Sequence, residues 1–207
     1  MITAITNRGI SLRPFLEQVR AIAEAEPDMV VLREKDLPRN EYAELARRCL
    51  RTCDDNGVRL CVNTFSDVAK DIGVRDVQLP MPVFRAEGAK GFDNVIVSVH
   101  SLDEAVEAFG LGADMLMFGN VFEATCKPGA PPKGLDALRG ICDAVGAPVL
   151  AVGGIDVSNM RSVLSRGAGG LCMMHDFMES ERPGEIVLAY RKVWKEARGG
   201  TRPQSFL

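Results

Sequence analysis

No stretch of this chain approaches the ~20 consecutive apolar residues that a membrane-crossing helix needs, so the sequence predicts no membrane span. Excess basic charge is missing too. Its 25 Lys and Arg against 28 Asp and Glu leave a formal net charge of −3, with the two signs interleaved. That excludes the concentrated cationic face of a nucleic-acid binder. Histidine is scarce (two residues), and none of the six cysteines stands in a Cys-x-x-Cys pair, so no zinc site is expected. Cys49, Cys53 and Cys142 fall on apolar helix faces and Cys61 and Cys172 in strands. All five read as buried free thiols of a reducing compartment. The first residues, Met1-Ile2-Thr3-Ala4-Ile5, lack the basic and long apolar regions of a secretory signal. They read as a strand, and the expected location is the cytoplasm. No Gly-x-Gly-x-x-Gly follows that strand, which argues against a dinucleotide-binding sheet.

What is present is regular. The chain has 207 residues, 46% apolar and 26% charged, enough for one globular domain with a real core. Short apolar runs predict strands over Ile2–Thr6, Met29–Leu32, Arg59–Val62, Asp76–Leu79, Val95–Val99, Asp114–Phe118, Pro148–Val152 and Gly170–Met173. Helical spacing separates them, as in Tyr42, Leu45, Ala46, Cys49, Leu50 and Cys53. A glycine precedes many strands (Gly57, Gly73, Gly112, Gly146, Gly167), where a helix would end in the left-handed conformation. Ser101-Leu102-Asp103-Glu104 is a capping box that opens a helix. Eight such units, with strands that do not alternate polar and apolar, predict an α/β fold of one domain, a (β/α)8 TIM barrel over residues 1–198 with a loose tail at 199–207.

In such a barrel the chemistry collects at the C-terminal ends of the strands. Those ends read Thr6-Asn7-Arg8, Arg33-Glu34-Lys35-Asp36, Asn63-Thr64, His100-Ser101, Gly119-Asn120, Gly153-Gly154 and His175-Asp176. The set is polar and rich in cations, which suits an anionic ligand. Gly153-Gly154-Ile155-Asp156 is expected to open a helix, where backbone N–H groups and the helix dipole would cradle a phosphate, with Met174-His175-Asp176 as the other half. Arg33 and Lys35 alternate and can both face the mouth. Their other reading is a surface salt-bridge set with Glu34 and Asp36. Lys127 stands in the loop 121–133, stiffened by three prolines, where it could close over a phosphate with help from the Thr125 hydroxyl.

The chain resembles the thiamine phosphate synthase/TenI family almost end to end. The segments that carry the resemblance are Val31-Leu32-Arg33-Glu34-Lys35-Asp36, Val77-Gln78-Leu79-Pro80, Ser98-Val99-His100-Ser101 and Gly119-Asn120-Val121-Phe122-Glu123-Ala124-Thr125-Cys126-Lys127, followed by the phosphate loop Val152-Gly153-Gly154-Ile155. The resemblance implies one of two activities. Synthases of the family join a pyrimidine diphosphate to a thiazole phosphate with magnesium, releasing pyrophosphate. Tautomerases of the TenI branch aromatise a thiazole phosphate carboxylate by proton transfer without a metal.

Departures from the family pattern decide the ranking. The Gln before Arg-x-Lys is Val31 here, the Asn-Asp pair after strand three is Asn63-Thr64, and no Asp follows Leu79-Pro80-Met81-Pro82. With both carboxylates gone, no protein metal ligand is expected, and magnesium enters only under the synthase reading. The tautomerase His is Asn120 here, and an amide does not shuttle protons near neutral pH. His100, Cys126 and His175 are the candidate replacements, with His175 also placed to touch phosphate. The expected site is therefore His100, Asn120 and Cys126 for chemistry, with Arg33, Lys35, Asn63, Thr125, Lys127, Gly153, Gly154 and His175 for the phosphorylated ligand. A thiazole phosphate tautomerase ranks first, a thiamine phosphate synthase second, and a non-catalytic phosphate-ligand binder third. Self-association is compatible with the exposed helix faces.

Overall fold

The computed structural model describes residues 1–88, 90–123, 129 and 131–197. The candidate residues Thr125, Cys126 and Lys127 and the tail at 199–207 lie outside the described residues. Eight parallel strands close into a barrel in sequence order. They are β1 (Ile2–Ile5), β2 (Met29–Leu32), β3 (Arg59–Asn63), β4 (Asp76–Pro80), β5 (Asn94–Val99), β6 (Met115–Gly119), β7 (Val149–Val152) and β8 (Gly170–Met173). Closure sets Ile2 opposite Leu171, Thr3 opposite Cys172 and Ala4 opposite Met173. Around the barrel lie α1 (Phe15–Glu24), α2 (Arg39–Asp55), α3 (Ser66–Ile72), α4 (Met81–Glu87), α5 (Leu102–Gly110), α6 (Gly134–Ala144), α7 (Met160–Ser165), α8 (His175–Met178) and α9 (Pro183–Ala197). The fold is the expected (β/α)8 barrel, and no helix among the described residues is long and apolar enough to cross a membrane.

The strands are buried on both faces because each faces two apolar layers. Inward residues such as Ile5, Met29, Val31, Cys61, Ile96 and Met117 fill the barrel lumen. Outward ones such as Val30, Leu32, Val62, Val97 and Phe118 pack under the helices. The five thiols are free and four are fully buried. Burial pushes the Cys53 and Cys172 thiols up to about 12, which keeps both in the neutral form.

Gly57, Gly73, Gly112 and Gly167 have the positive φ expected of them, but Gly146 does not. There α6 ends at Ala144 and the chain leaves through an extended Val145. Glycine serves there for space: a Cβ on Gly146 would stand 3.2 Å from the Phe109 ring. Ser101 caps α5 by accepting from the Glu104 N–H at 3.1 Å, while the Glu104 carboxylate reaches back to the N–H of His100 rather than to that of Ser101.

One buried side chain ties the helical layer to the mouth. Tyr42 of α2 donates its hydroxyl proton to the Leu32 carbonyl at 2.6 Å and accepts from the Asn63 N–H at 3.1 Å. It therefore joins the C-terminal ends of β2 and β3, and burial raises its pKa so that it stays protonated. Tyr42→Phe removes the acceptor of a buried N–H and is expected to lower the unfolding free energy by about 1–3 kcal/mol in urea titrations. An unchanged midpoint would remove Tyr42 from the support of the mouth.

Candidate functional site

Period-two geometry carries the inward phase of each strand from the lumen to the rim. On β2 that phase runs Met29, Val31, Arg33 and Lys35; on β5 it runs Ile96, Ser98 and His100. A cavity of about 160 Å³ results at the C-terminal mouth, with Val31, Asn63, Gln78, Ser98, Met117 and Val152 below and Arg33, Lys35, His100, Asn120 and Gly153 around it. β3 and β4 each extend one residue past their expected ends, to Asn63 and Pro80, and Gln78 belongs to the cavity through the inward phase of β4.

The acidic residues that alternate with the two cations turn the other way. Glu34 is buried and accepts from the Thr6 hydroxyl at 2.7 Å and from the Arg8 N–H and Nε at 3.0 and 3.2 Å. Asp36 takes the other end of the same guanidinium at 2.6 Å. Thr6 also accepts from the Arg33 N–H at 3.0 Å. Arg8 thus neutralises both carboxylates, and the alternative salt-bridge set for Arg33 does not form. The Arg33 guanidinium pairs with no carboxylate among the described residues, and its charge faces the cavity.

The floor is a directional ladder of amides. Asn63 Nδ2 donates to Gln78 Oε1, and Gln78 Nε2 donates to the Ser98 hydroxyl at 2.5 Å. Ser98 accepts within the ladder and keeps its own proton to offer. Sequence reasoning left Gln78 and Ser98 out of the site, although their place in the inward phase was the signal that could have found them.

Two residues later on β5, His100 Nδ1 lies 2.8 Å from the Gly119 carbonyl. A carbonyl oxygen can only accept, so Nδ1 carries a proton, and in the neutral ring the lone pair stands on Nε2. Asn120 is buried, and its amide donates to the Phe122 carbonyl at 3.3 Å. It has no exchangeable proton of useful pKa.

Gly153 and Gly154 have φ of 98° and 62° and pack against the chain that follows β6. A Cβ on Gly153 would stand 2.6 Å from Asn120 Cβ, and one on Gly154 would stand 2.7 Å from Phe122 Cβ. The Gly154 and Ile155 N–H groups have no protein acceptor among the described residues, as an anion cradle requires. The expected helix does not open there. Asp156 Oδ1 accepts from the Ser158 N–H at 2.8 Å and its hydroxyl at 2.6 Å, an Asx turn that delays α7 to Met160.

A second recess of about 440 Å³ shares Val152, Gly153 and Met174 with the first and adds Gly154, Ile155 and His175. His175 stands at the start of the short helix α8 instead of in a loop. The recess also carries four carboxylates, Asp156 and Asp176 from the segments named at the strand ends and, in addition, Glu123 and Glu179, which the strand-end reading did not collect.

Burial holds the Asp176 carboxyl above its ordinary range, offset in part by the Tyr190 hydroxyl donating at 2.9 Å. Hydrogen bonds from Ser158 hold Asp156 below that range.

Magnesium, which the family resemblance brings in with the synthases, asks for charged oxygens. No carboxylate lines the inner cavity, and the Asn63 and Gln78 amide oxygens already accept from Thr64 and Asn63. No group of three or more metal-ligating side chains occurs among the described residues. The residues present at the inner cavity do not fit a protein-anchored magnesium ion.

Cations, open backbone amides and a polar floor at the strand ends define the class: a (β/α)8 barrel built to hold phosphorylated small molecules. The chain belongs to the thiamine monophosphate synthase family, whose model matches residues 2–177. It is 34% identical over 198 residues to the thiamine-phosphate synthase of Pyrococcus furiosus, covering 94% of this chain and 95% of that protein. It is 33% identical to the thiamine-phosphate synthase of Moorella thermoacetica, covering 96% and 97%. The solved thiamine phosphate pyrophosphorylase of Pyrococcus furiosus superposes with a TM-score of 0.82 at 30% identity, covering 96% of each chain. Against a probable thiamine biosynthetic bifunctional enzyme of rice, 35% identical over 175 residues, the chain spans 32% of the relative's length.

The raised Asp176 carboxyl has a signed consequence. A carboxyl whose folded pKa lies above its unfolded value favours the fold at low pH and loses that contribution as pH rises through the folded pKa. Asp176→Asn is therefore expected to raise stability at neutral pH, with the gain vanishing at pH values below the ordinary carboxylate range. Urea unfolding of both proteins across pH checks this; a gain that persists in acid would overturn it.

Proposed function

We propose that this chain is a thiamine-phosphate synthase, joining a pyrimidine diphosphate to a thiazole phosphate. One observation carries the reading: two contiguous recesses, one rimmed by Arg33 and Lys35, the other presenting the open amides of Gly154 and Ile155 beside His175. Two phosphorylated substrates side by side need two such places, and a single phosphate ester needs one. The synthase names carried by relatives along nearly the whole chain support it.

In the reaction a carbon–oxygen bond to the diphosphate breaks, the leaving pyrophosphate takes the electron pair, and a carbon–nitrogen bond to the thiazole forms. Arg33 and Lys35 supply fixed positive charge where negative charge grows, and Arg33 can grip phosphate oxygens through two parallel N–H groups. The Ser98 hydroxyl and His100 Nε2 offer one donor and one acceptor to hold a ring above the amide floor. No step is assigned to a metal held by the protein.

Purified protein given both substrates should release pyrophosphate and thiamine phosphate. Arg33→Ala is expected to lower kcat/KM at least tenfold, about 1.4 kcal/mol of transition-state stabilisation. An unchanged value would sink the role given to Arg33.

A specific observation favours a second reading, the metal-independent thiazole phosphate tautomerase: the inner cavity has no carboxylate, while the Gly119 carbonyl takes the His100 Nδ1 proton, so that Nε2 is the lone-pair nitrogen of the neutral ring. Asn120→His should then raise the rate of the ultraviolet change that accompanies aromatisation, in the presence of EDTA. No gain would mean that the proton is handled elsewhere. Failure of both reactions with phosphate binding retained would leave the third reading, a binder without the family's chemistry.

A further inference from the structure

We propose that Gln78 is a specificity-determining positioning residue. It fixes the direction of the floor ladder so that Ser98 points its hydroxyl proton into the inner cavity, which thereby selects a ring that presents an acceptor nitrogen. The inference rests on the synthase reading, in which that ring is the pyrimidine.

A chain of amides and hydroxyls can run in either of two directions, because every member can both give and accept a proton. One contact removes that choice here. Asn63 Nδ2 donates to Gln78 Oε1 and also lies 3.4 Å from the main-chain carbonyl of Gln78. A carbonyl oxygen only accepts, so the Asn63 amide cannot be turned end for end. The same carbonyl accepts from the Thr64 N–H at 2.9 Å, and the Thr64 hydroxyl donates to Asn63 Oδ1 at 3.1 Å. Thr64 takes a φ of 70°, which a β-branched residue rarely adopts, and these bonds hold it there.

With Asn63 fixed as a donor, Gln78 Oε1 is committed as its acceptor. Gln78 Nε2 must then face Ser98, to which it donates at 2.5 Å. Asn63 and Gln78 are both buried, so neither amide trades these partners for bulk water. Ser98 lines the cavity, and its own proton meets no acceptor among the described residues. The neighbouring floor residues Val31, Met117 and Val152 bring no polar side-chain atom to a bound ring. A ring nitrogen over Ser98 satisfies the hydroxyl, whereas a ring C–H leaves it buried and unpaired. Gln78 therefore acts through Ser98 and needs no contact of its own with the ring.

Calorimetry on the full chain with two probes of like shape and charge, pyrimidinylmethyl phosphate and benzyl phosphate, tests this. The wild type is expected to prefer the pyrimidine. Gln78→Glu places an acceptor at both ends of the ladder's middle member, and Asn63→Asp makes Gln78 turn its Nε2 toward position 63. Either change draws the Ser98 proton into the ladder. Each is expected to lower the ratio of the two affinities about tenfold, with a circular dichroism melt confirming the fold. The added charge weakens both probes alike and leaves the ratio untouched. Ser98→Ala is expected to lower the ratio as much, and neither substitution should change it further in that background. A wild type indifferent to the ring nitrogens would overturn the proposal. So would a ratio that Ser98→Ala or the folded variants leave unmoved, or effects that persist without Ser98. Ratios that behave as expected in a protein that makes no thiamine phosphate would sink the synthase reading instead and leave the role of Gln78 standing.

Discussion

Side-chain alternation within a closed parallel sheet is the constraint on which the rest of the molecule depends. Pairing of β1 with β8 leaves no open edge and divides every strand residue between lumen and helical layer. A residue that continues the lumen phase beyond the last ladder bond must face the mouth. Arg33 and Lys35 obey that rule after Val31, as does His100 after Ser98. Their companions Glu34 and Asp36 are turned to the other side, where Arg8 receives them. The cationic character of the mouth is thus an outcome of strand geometry as much as of composition.

The barrel and most of the mouth were legible in the sequence because they follow from local patterns. Eight apolar runs separated by helical spacing are a period signal, and strand ends follow once the runs are placed. Reading failed where an interaction joins distant positions. Arg8 as the partner of Glu34 requires the register of β1 against β2, and the Gln78–Ser98 bond requires that of β4 against β5. The late start of α7 was hidden because Asp156 and Asn159 look like ordinary helix-capping residues, whereas here they close an Asx turn first. Of the carboxylates around the second recess, Glu123 and Glu179 lie outside the strand-end segments, and only the folded chain brings them beside Asp156 and Asp176.

The electrostatics of the two recesses differ in kind. The inner cavity has cations above a neutral, hydrogen-bonded amide floor, a setting that attracts negative charge without burying an unpaired ion. The outer recess sets open backbone amides and His175 among carboxylates, one of which burial holds above its ordinary range. An anion in the outer recess is therefore held mainly by fixed peptide dipoles, and one in the inner cavity mainly by side-chain charge. The two places are tuned by different variables, backbone geometry in one and side-chain identity in the other.

The close packing of Gly153 and Gly154 against Asn120, Phe122 and Glu123 makes the loops after β6 and β7 a single mechanical unit. Val121 and Phe122 are hydrogen-bonded to the carbonyls of Val152 and Gly153 at 2.9 and 3.0 Å, so neither loop can shift alone. The Gly153-Gly154 turn and the Asn120 position are consequently inherited together. A lineage that remodels one must accommodate the other in the same step, which leaves substitution within the existing backbone, as at Asn120, the easier route by which this barrel can change what it does.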